Sequence, residues 1–155
     1  MRKTKAKKRI LLADPKHNDI LVTRFINNMM EHGKRNTASN IFYDAIEIVG
    51  QKTKESGIDV WKKAVNNISP QVEVKSRRVG GATFQIPQEV RPNRKVALAF
   101  KWLISYATER NGKSMSVKLA DEIIAASKEE GAAYKKKEDT HKMAEANKAF
   151  AHFRF

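Results

Sequence analysis

The sequence contains no cysteine, and its runs of apolar residues are short. Without cysteine, a disulfide scaffold, thiol catalysis and a thiolate metal site are all excluded. The longest unbroken apolar run is the five residues from Val96 to Phe100, far short of the ~20 residues that a membrane-spanning helix needs. The basic N-terminus is followed by no apolar stretch long enough for a signal peptide. We therefore expect a soluble, intracellular protein.

Negative charge is also scarce. The 155 residues include 31 lysines and arginines against 17 aspartates and glutamates, which gives a formal net charge of +14. Such an excess opposes folding by self-repulsion, so its use lies in a partner of the opposite charge. A nucleic acid is the first candidate, and an anionic membrane surface is the second. The chain is nevertheless 41% hydrophobic, which is enough for one globular domain with a real core.

Apolar residues repeat with helical periodicity over most of the chain. This pattern predicts a mainly α fold, a single-domain bundle of about six helices. The first ten residues include six basic and no acidic side chains, so we expect a flexible N-terminal arm over 1–10 and a single helical domain over 11–155. A protruding β-hairpin over 72–90 is predicted between the third and fourth helices.

Capping and stop signals predict the helix ends. The fourth helix is apolar on nearly all sides and is therefore predicted as the centre of the bundle, with Trp102 buried, whereas Trp61 lies on a helix with one apolar face. The first helix is expected to start at Asn18 or Asp19 and to end at Gly33, and after a basic loop over 34–36 the second starts at Asn36 or Thr37. The third helix is expected over residues 58–68. The fourth runs from Pro92 or Asn93 to about residue 109, the fifth starts at Ser114 or Ser116, and Gly131 precedes the sixth.

Two short alternating runs flank Gly80 and Gly81, a pattern typical of a β-hairpin. Its register has two alternatives. A two-residue turn at the glycines places Lys75 opposite Ile86, whereas a loop one residue longer gathers Phe84, Ile86 and the valines on a single face. Because a shift of one residue exchanges the two faces, the hydrophobic pattern favours the longer loop.

No reaction centre is visible, so we predict no enzyme activity, no metal and no cofactor. The two glycines of the hairpin are not a phosphate-binding loop, because a strand follows them where such a loop needs a helix. We expect no small-molecule substrate and no membrane partner either. The four histidines, which have no metal-ligand spacing, are His17, His32, His141 and His152.

The basic residues, by contrast, form clusters. One run of charge is usually only a solvated surface, but five clusters in a chain of this net charge favour a surface that follows a nucleic-acid backbone. Arginines on a ribbon can reach a groove or splayed bases. Phe84 can either stack on a base or belong to the core at the hairpin root. The clusters are the N-terminal arm, residues 34–35, the ribbon cations Lys75, Arg77 and Arg78, the group Arg91, Arg94 and Lys95, and residues 135–137.

Several of these stretches resemble one protein family. Residues 72–87 resemble the signature of the seventh protein of the small ribosomal subunit, bacterial type, and so do residues 33–38, 90–92, 113–115 and 136–152. The likeness follows the chain in order from end to end, and runs of this length are specific. The resemblance implies a six-helix bundle with a projecting β-ribbon, located in the small ribosomal subunit of the cytoplasm.

The resemblance also implies a function. It implies a structural protein that binds 16S-type rRNA as a primary binder, nucleates assembly of the 3′ major domain (the head), and lies at the subunit interface near the exit-site tRNA and the mRNA. Small-subunit ribosomal proteins nine and eleven are implied as further partners. The residues carried over as rRNA contacts are Lys3, Lys5, Lys7, Lys8, Arg9, Lys34, Arg35, Lys75, Arg77, Arg78, Arg91, Arg94 and Lys95. The residues carried over to the tRNA and mRNA side are Val79, Gly80, Gly81, Ala82, Lys135, Lys136 and Lys137.

Without the resemblance, the same residues also fit an architectural DNA-binding protein whose basic β-arm enters a minor groove. Such arms usually carry an apolar wedge at the tip, whereas the tip here is Gly80 and Gly81. Competition between duplex DNA and structured RNA separates the two hypotheses. Repression of its own messenger is compatible with the ribosomal hypothesis, and the sequence carries no signal for it.

Overall fold

The structure, a computed structural model, describes residues 9–153 without the side chains of Val79 and Phe153. These residues contain six α-helices, one antiparallel β-hairpin and a C-terminal 3₁₀ helix, so the predicted mainly α fold with a hairpin between the third and fourth helices is confirmed. No helix in this range is long and apolar enough to cross a membrane. The elements are α1 (Ile20–Met29), α2 (Arg35–Thr53), α3 (Gly57–Ile68), β1 (Val72–Val79), β2 (Ala82–Glu89), α4 (Pro92–Glu109), α5 (Met115–Ser127), α6 (Ala132–Ala146) and the 3₁₀ helix (Lys148–Phe153).

The chain divides into two compact units between Asn40 and Ile41, inside α2. In the first unit, α1 begins at one of its two predicted caps. The carboxylate of Asp19 accepts a hydrogen bond from the Leu21 N–H at 2.8 Å, which satisfies one of the free donors at the helix start. The buried face of α1 consists of Val22, Thr23, Phe25 and Ile26.

The start of α2 lies before the residues that the capping signals predict. The Lys34 carbonyl accepts a hydrogen bond from the Ala38 N–H at 3.2 Å, and this bond closes the first helical turn around Asn36 and Thr37. Gly33, whose φ is 74°, provides the left-handed backbone that directs the chain into the helix. Neither predicted cap is therefore used, and two of the three predicted loop residues belong to α2.

The core of the second unit is centred on α3. This helix contacts α4, α5 and α6, and its Trp61 is 0% exposed. The indole ring lies between two phenylalanine rings, with Phe42 edge-on at a centroid distance of 5.4 Å and Phe100 stacked at 6.0 Å. One row of three rings therefore joins α2, α3 and α4.

The predicted burial of Trp102 at the centre of the bundle is wrong. Trp102 is only partly buried, and the apolar residues on several sides of α4 remain accessible to solvent. The apolar composition of α4 thus overstates how much of the helix is buried in the core, whereas the single apolar face of α3 is buried completely. The buried residues of α4 are Ala99, Phe100, Leu103 and Ala107.

One buried carboxylate in the middle of α5 joins that helix to the end of α4 and the start of α6. Glu122 of α5 accepts a hydrogen bond from the guanidinium of Arg110, which follows α4, and another from the Ala133 N–H in the first turn of α6 at 2.8 Å. A negative charge is favourable at this helix start. Gly131 has a φ of 90°, and a Cβ there would lie 3.0 Å from the Glu122 carboxylate, so the close approach requires glycine.

The hairpin has the shorter of the two predicted turns, so the longer loop that the hydrophobic pattern favours is wrong. Lys75 pairs with Ile86, and Gly80 and Gly81 alone form the turn. Their φ values are 58° and 90°, the left-handed backbone that a tight two-residue hairpin turn requires and that glycine adopts without steric cost.

This register places an acid, Glu73, on the face of the hairpin that packs against the protein, which is possible because the acid has a basic partner. Cross-strand pairs place Glu73 on the same face as Phe84 and Ile86, and Glu73 is itself buried. The guanidinium of Arg94 from α4 neutralises its charge, since an unpaired buried carboxylate would be costly. The two valines near the start of β1 lie on the opposite face, where they are half-buried.

The root of the hairpin is also attached to α6. The Gln71 N–H donates a hydrogen bond to Nε2 of His141 at 3.0 Å, which requires that this nitrogen carries no proton. Burial lowers the pKa of His141, and the positive charge of Lys137 acts in the same direction. The neutral ring is therefore the form that the folded protein favours.

Replacing Trp61 by alanine is expected to lower the free energy of unfolding by about 3–5 kcal/mol, the usual cost of truncating a fully buried aromatic side chain. Trp102→Ala is the matched control and is expected to cost clearly less, because its side chain is already partly in solvent. Urea denaturation of both variants measures the difference. Equal reductions would contradict the central position of α3.

Stability is expected to fall with acidification through His141. Its pKa is lower in the folded protein than its ordinary value of 6.5, so its contribution is fully present above that value and is lost as the pH falls towards the folded pKa. We expect the urea midpoint to fall more steeply between about pH 7.5 and pH 5.5 in the wild type than in His141→Asn, whose amide oxygen accepts without titrating. Parallel profiles would rule out this contribution.

Candidate nucleic-acid interface

The first unit holds two of the predicted basic clusters. Arg9, Lys34 and Arg35 are exposed. Lys34 directly precedes α2, and Arg35 is its first residue. Cations beside the free N–H groups of a helix start form a surface that suits a phosphate oxygen. The other predicted contacts of the arm lie outside the described residues: Lys3, Lys5, Lys7 and Lys8.

The hairpin of the second unit carries three exposed cations on two faces. Because side chains alternate along a strand, Lys75 and Arg77 lie on the face of Phe84 and Ile86, and Arg78 lies on the opposite face. The ribbon therefore presents positive charge on both sides and can contact phosphates on either one.

Phe84 packs against another aromatic ring of the protein. Its ring lies 5.2 Å from the ring of Phe150 in the C-terminal 3₁₀ helix, tilted by 50°, and its side chain is partly buried. Of the two alternatives that the sequence leaves open for Phe84, the structure favours packing at the hairpin over stacking on a base.

The start of α4 brings a second basic cluster against the hairpin root. Arg91 is the exposed N-cap, and Lys95 is half-buried. Nε of Arg94 donates to both carboxylate oxygens of Glu73 at 2.8 Å each. Nζ of Lys75 lies 3.8 Å from the same carboxylate. One buried glutamate thus joins two cation clusters that are far apart in the sequence.

The sequence patterns single out no role for Glu73. The only available signal is an acid near the start of a basic ribbon that also contains Glu89, and the register that the hydrophobic pattern favours turns Glu73 away from the apolar face. The hydrogen bond with Glu73, and then its negative charge, raise the pKa of the Arg94 guanidinium above its ordinary value. Since arginine is positively charged throughout the working pH range in any case, the contact is an ion pair between a guanidinium and a carboxylate.

The hairpin tip is small and open. Gly80, Gly81 and Ala82 are exposed, and apart from the chain neighbours of each glycine no heavy atom of the described residues lies within 4 Å of the position that a Cβ would take there. The glycines are thus required by their positive φ and not by a packed neighbour. An uncovered backbone of this kind lets a second chain approach closely.

The three predicted lysines of α6 have different surroundings. Lys135 is exposed, and Lys136 is half-buried. Nζ of Lys137 donates to the carbonyl of Asn67 at 2.7 Å and lies 4.3 Å from the centroid of the Tyr134 ring. Lys137 therefore attaches α6 to α3, whereas Lys135 leaves its charge in solvent. Within residues 9–153, no group of histidines and carboxylates is arranged to hold a metal ion.

The whole chain is similar to ribosomal proteins. Residues 1–148 match the family described as ribosomal protein S7p/S5e. A protein of Cytophaga hutchinsonii named small ribosomal subunit protein uS7 is 66% identical over 155 residues, which cover all of both chains. Proteins of the same name from Flavobacterium psychrophilum and Phocaeicola vulgatus are 62% and 58% identical, again over the full length of both chains.

These matches confirm the resemblance seen in residues 72–87 and 136–152. They include the hairpin, the start of α4 and α6, so they cover the described residues of the candidate interface. The chain therefore belongs to the ribosomal protein S7p/S5e family, as a structural protein of the small ribosomal subunit and not an enzyme.

Proposed function

We propose that this chain is a primary rRNA-binding protein that nucleates assembly of the 3′ major domain, the head of the small subunit. The observation that carries the proposal is the meeting of hairpin and α4 cations around Glu73. A surface built from two elements can follow several phosphates of one backbone, and such contacts position a protein on nucleic acid. Family membership places the chain in the cytoplasmic ribosome of bacteria.

The proposed rRNA contacts are the arm and the cations at the start of α2 in the first unit, and the ribbon and the start of α4 in the second. In the second unit, five of the six proposed cations are exposed. Lys95 is the half-buried one and contributes through its ammonium end, since a long basic side chain can bury its stem and keep its charge in water. The six cations are Lys75, Arg77, Arg78, Arg91, Arg94 and Lys95.

The hairpin tip and α6 are proposed to lie on the side of the exit-site tRNA and the mRNA. The tip residues Gly80, Gly81 and Ala82 are uncharged, so they offer no grip on phosphate, and their open backbone suits close approach by another chain. Lys135 supplies free charge on α6, whereas Lys137 serves this side by holding the helix in place.

Small-subunit ribosomal proteins nine and eleven are proposed as protein partners. Exposed apolar side chains support protein contacts in addition to RNA contacts, because covering them with a partner removes apolar surface from water. Ile10 and Leu12 are 94% and 80% exposed in the first unit, and Met143 is 47% exposed in the second.

The hairpin root and tip are expected to have different tasks. Replacing Arg77 and Arg78 together by alanine should weaken binding to a transcript of the 3′ major domain at least about tenfold, because each charge-assisted contact is worth ~1.5–3 kcal/mol. Deleting residues 79–82 and rejoining the strands by a short turn should leave this affinity nearly unchanged. In assembled subunits, however, the deletion should increase frameshifting.

Filter binding measures the affinities, with duplex DNA as the competitor. Equally weakened binding in the two variants would contradict the division between root and tip, as would an unchanged reading frame in particles that contain the shortened chain. Competition by duplex DNA as strong as that by the RNA would favour the architectural DNA-binding hypothesis.

Deleting residues 1–10 is expected to weaken rRNA binding and to flatten its dependence on salt by ~0.7–0.9 log units for each phosphate that the arm neutralises. The physical reason is that these residues carry six basic and no acidic side chains. Filter binding over a series of salt concentrations measures the slope, and circular dichroism checks that the shortened chain is folded. A slope equal to that of the full chain would show that the arm makes no phosphate contact.

A further inference from the structure

Glu73 is a buried acid within a basic surface. Its side chain is 11% exposed and lies between two cations of the proposed interface. Nε of Arg94 is 2.8 Å from each carboxylate oxygen, and Nζ of Lys75 is 3.8 Å from one of them. A negative charge this close to a phosphate-binding surface repels the ligand. Its presence at this position therefore needs a physical reason.

The contact between Arg94 and Glu73 uses only one edge of the guanidinium group. Arginine often grips a carboxylate with two parallel N–H groups, whereas here Nε alone donates to both oxygens. Among residues 9–153, Nη1 and Nη2 of Arg94 donate no side-chain hydrogen bond, and the Arg94 side chain is 54% exposed. The two terminal amino groups of the guanidinium thus remain available to a ligand from solvent.

We propose that Glu73 is a positioning residue for RNA binding. It holds Arg94 by Nε, attracts the ammonium of Lys75, and so presents the Nη edge and the ammonium to phosphate oxygens of the same RNA backbone. A side chain that is already held loses less conformational freedom when it binds. This inference rests on the proposed function, in which Lys75 and Arg94 contact rRNA.

A purely structural role for Glu73, as a link between β1 and α4, makes a different prediction. If the carboxylate only joined the two elements, its removal would reduce stability, and the folded variant would bind RNA at least as tightly as the wild type. The reason is that one negative charge has been removed from the surface. The two roles therefore differ in the sign of the change in affinity.

The decisive variant is Glu73→Gln in the full chain, tested by filter binding to a transcript of the 3′ major domain. Positioning predicts binding about threefold to tenfold weaker, the size of a coupling within one ion-pair network, although the net charge becomes more positive. Glu89→Gln is the matched control, because Glu89 is exposed, lies on the opposite face of the hairpin and pairs with Val72. The control should bind as tightly as the wild type or slightly more tightly.

A second variant decides the question if Glu73→Gln does not fold. Glu73→Asp keeps the charge but shortens the side chain by one methylene, so the carboxylate no longer reaches Nε. Positioning predicts weaker binding, whereas electrostatics alone predicts no change. Urea denaturation is measured for each variant, so that affinities are compared only between folded proteins.

Arg94→Ala separates this inference from the proposed function. In the Arg94→Ala background, Glu73→Gln should cause no further decrease in affinity, because the group that it positions is absent. Wild-type affinity of Arg94→Ala would overturn the proposed rRNA contact itself and, with it, the positioning role. Weaker binding of Arg94→Ala together with unchanged or tighter binding of folded Glu73→Gln would overturn the positioning role alone.

Discussion

The two-residue glycine turn determines the pairing register of the ribbon and therefore the face on which each of its side chains lies. Because Gly80 and Gly81 both have a positive φ, the strands pair with Lys75 opposite Ile86. This register turns Glu73 and Arg77 to the face of Phe84 and Ile86, and Arg78 to the opposite face. A shift of one residue would exchange the faces, so that Glu73 would face solvent and Arg94 would lose its partner. A local backbone preference at the tip thus determines which charges meet at the root.

The hairpin root is held firmly, whereas at its tip no other part of the described chain packs against the Cβ positions of the two glycines. Three polar contacts hold the root region. They are the ion pair between Arg94 and Glu73, the hydrogen bond from the Gln71 N–H to His141, and the hydrogen bond from Nζ of Lys137 to the Asn67 carbonyl. The helices that supply them rest on the aromatic row around Trp61 and on the buried carboxylate of Glu122. The packed core therefore determines where the ribbon begins, and the tip remains open for a ligand.

Local signals predicted the elements well, because each depends on a few neighbouring residues. Helical periodicity gave six helices, Asp19 was one of two predicted caps, and Pro92 began α4 as predicted. The predictions are wrong where the structure depends on contacts with residues distant in the sequence. The hydrophobic pattern favours the wrong register because Arg94, the partner of Glu73, lies on another element. The apolar composition of α4 suggests that it is the most buried helix, a position that α3 occupies instead. The cation clusters were visible in the sequence, but their meeting at one carboxylate was not.

The outer edges of the ribbon have a consequence for the protein before it meets RNA. The described sheet consists of β1 and β2 alone, so near the tip each strand leaves backbone groups that could pair with a strand of another molecule, the usual start of aggregation. Arg77 and Arg78 repel the same residues of a second copy, and Pro87 removes one donor from β2. The same two cations therefore keep newly made chains apart, and under the proposed function this repulsion is needed only until phosphates of rRNA neutralise it.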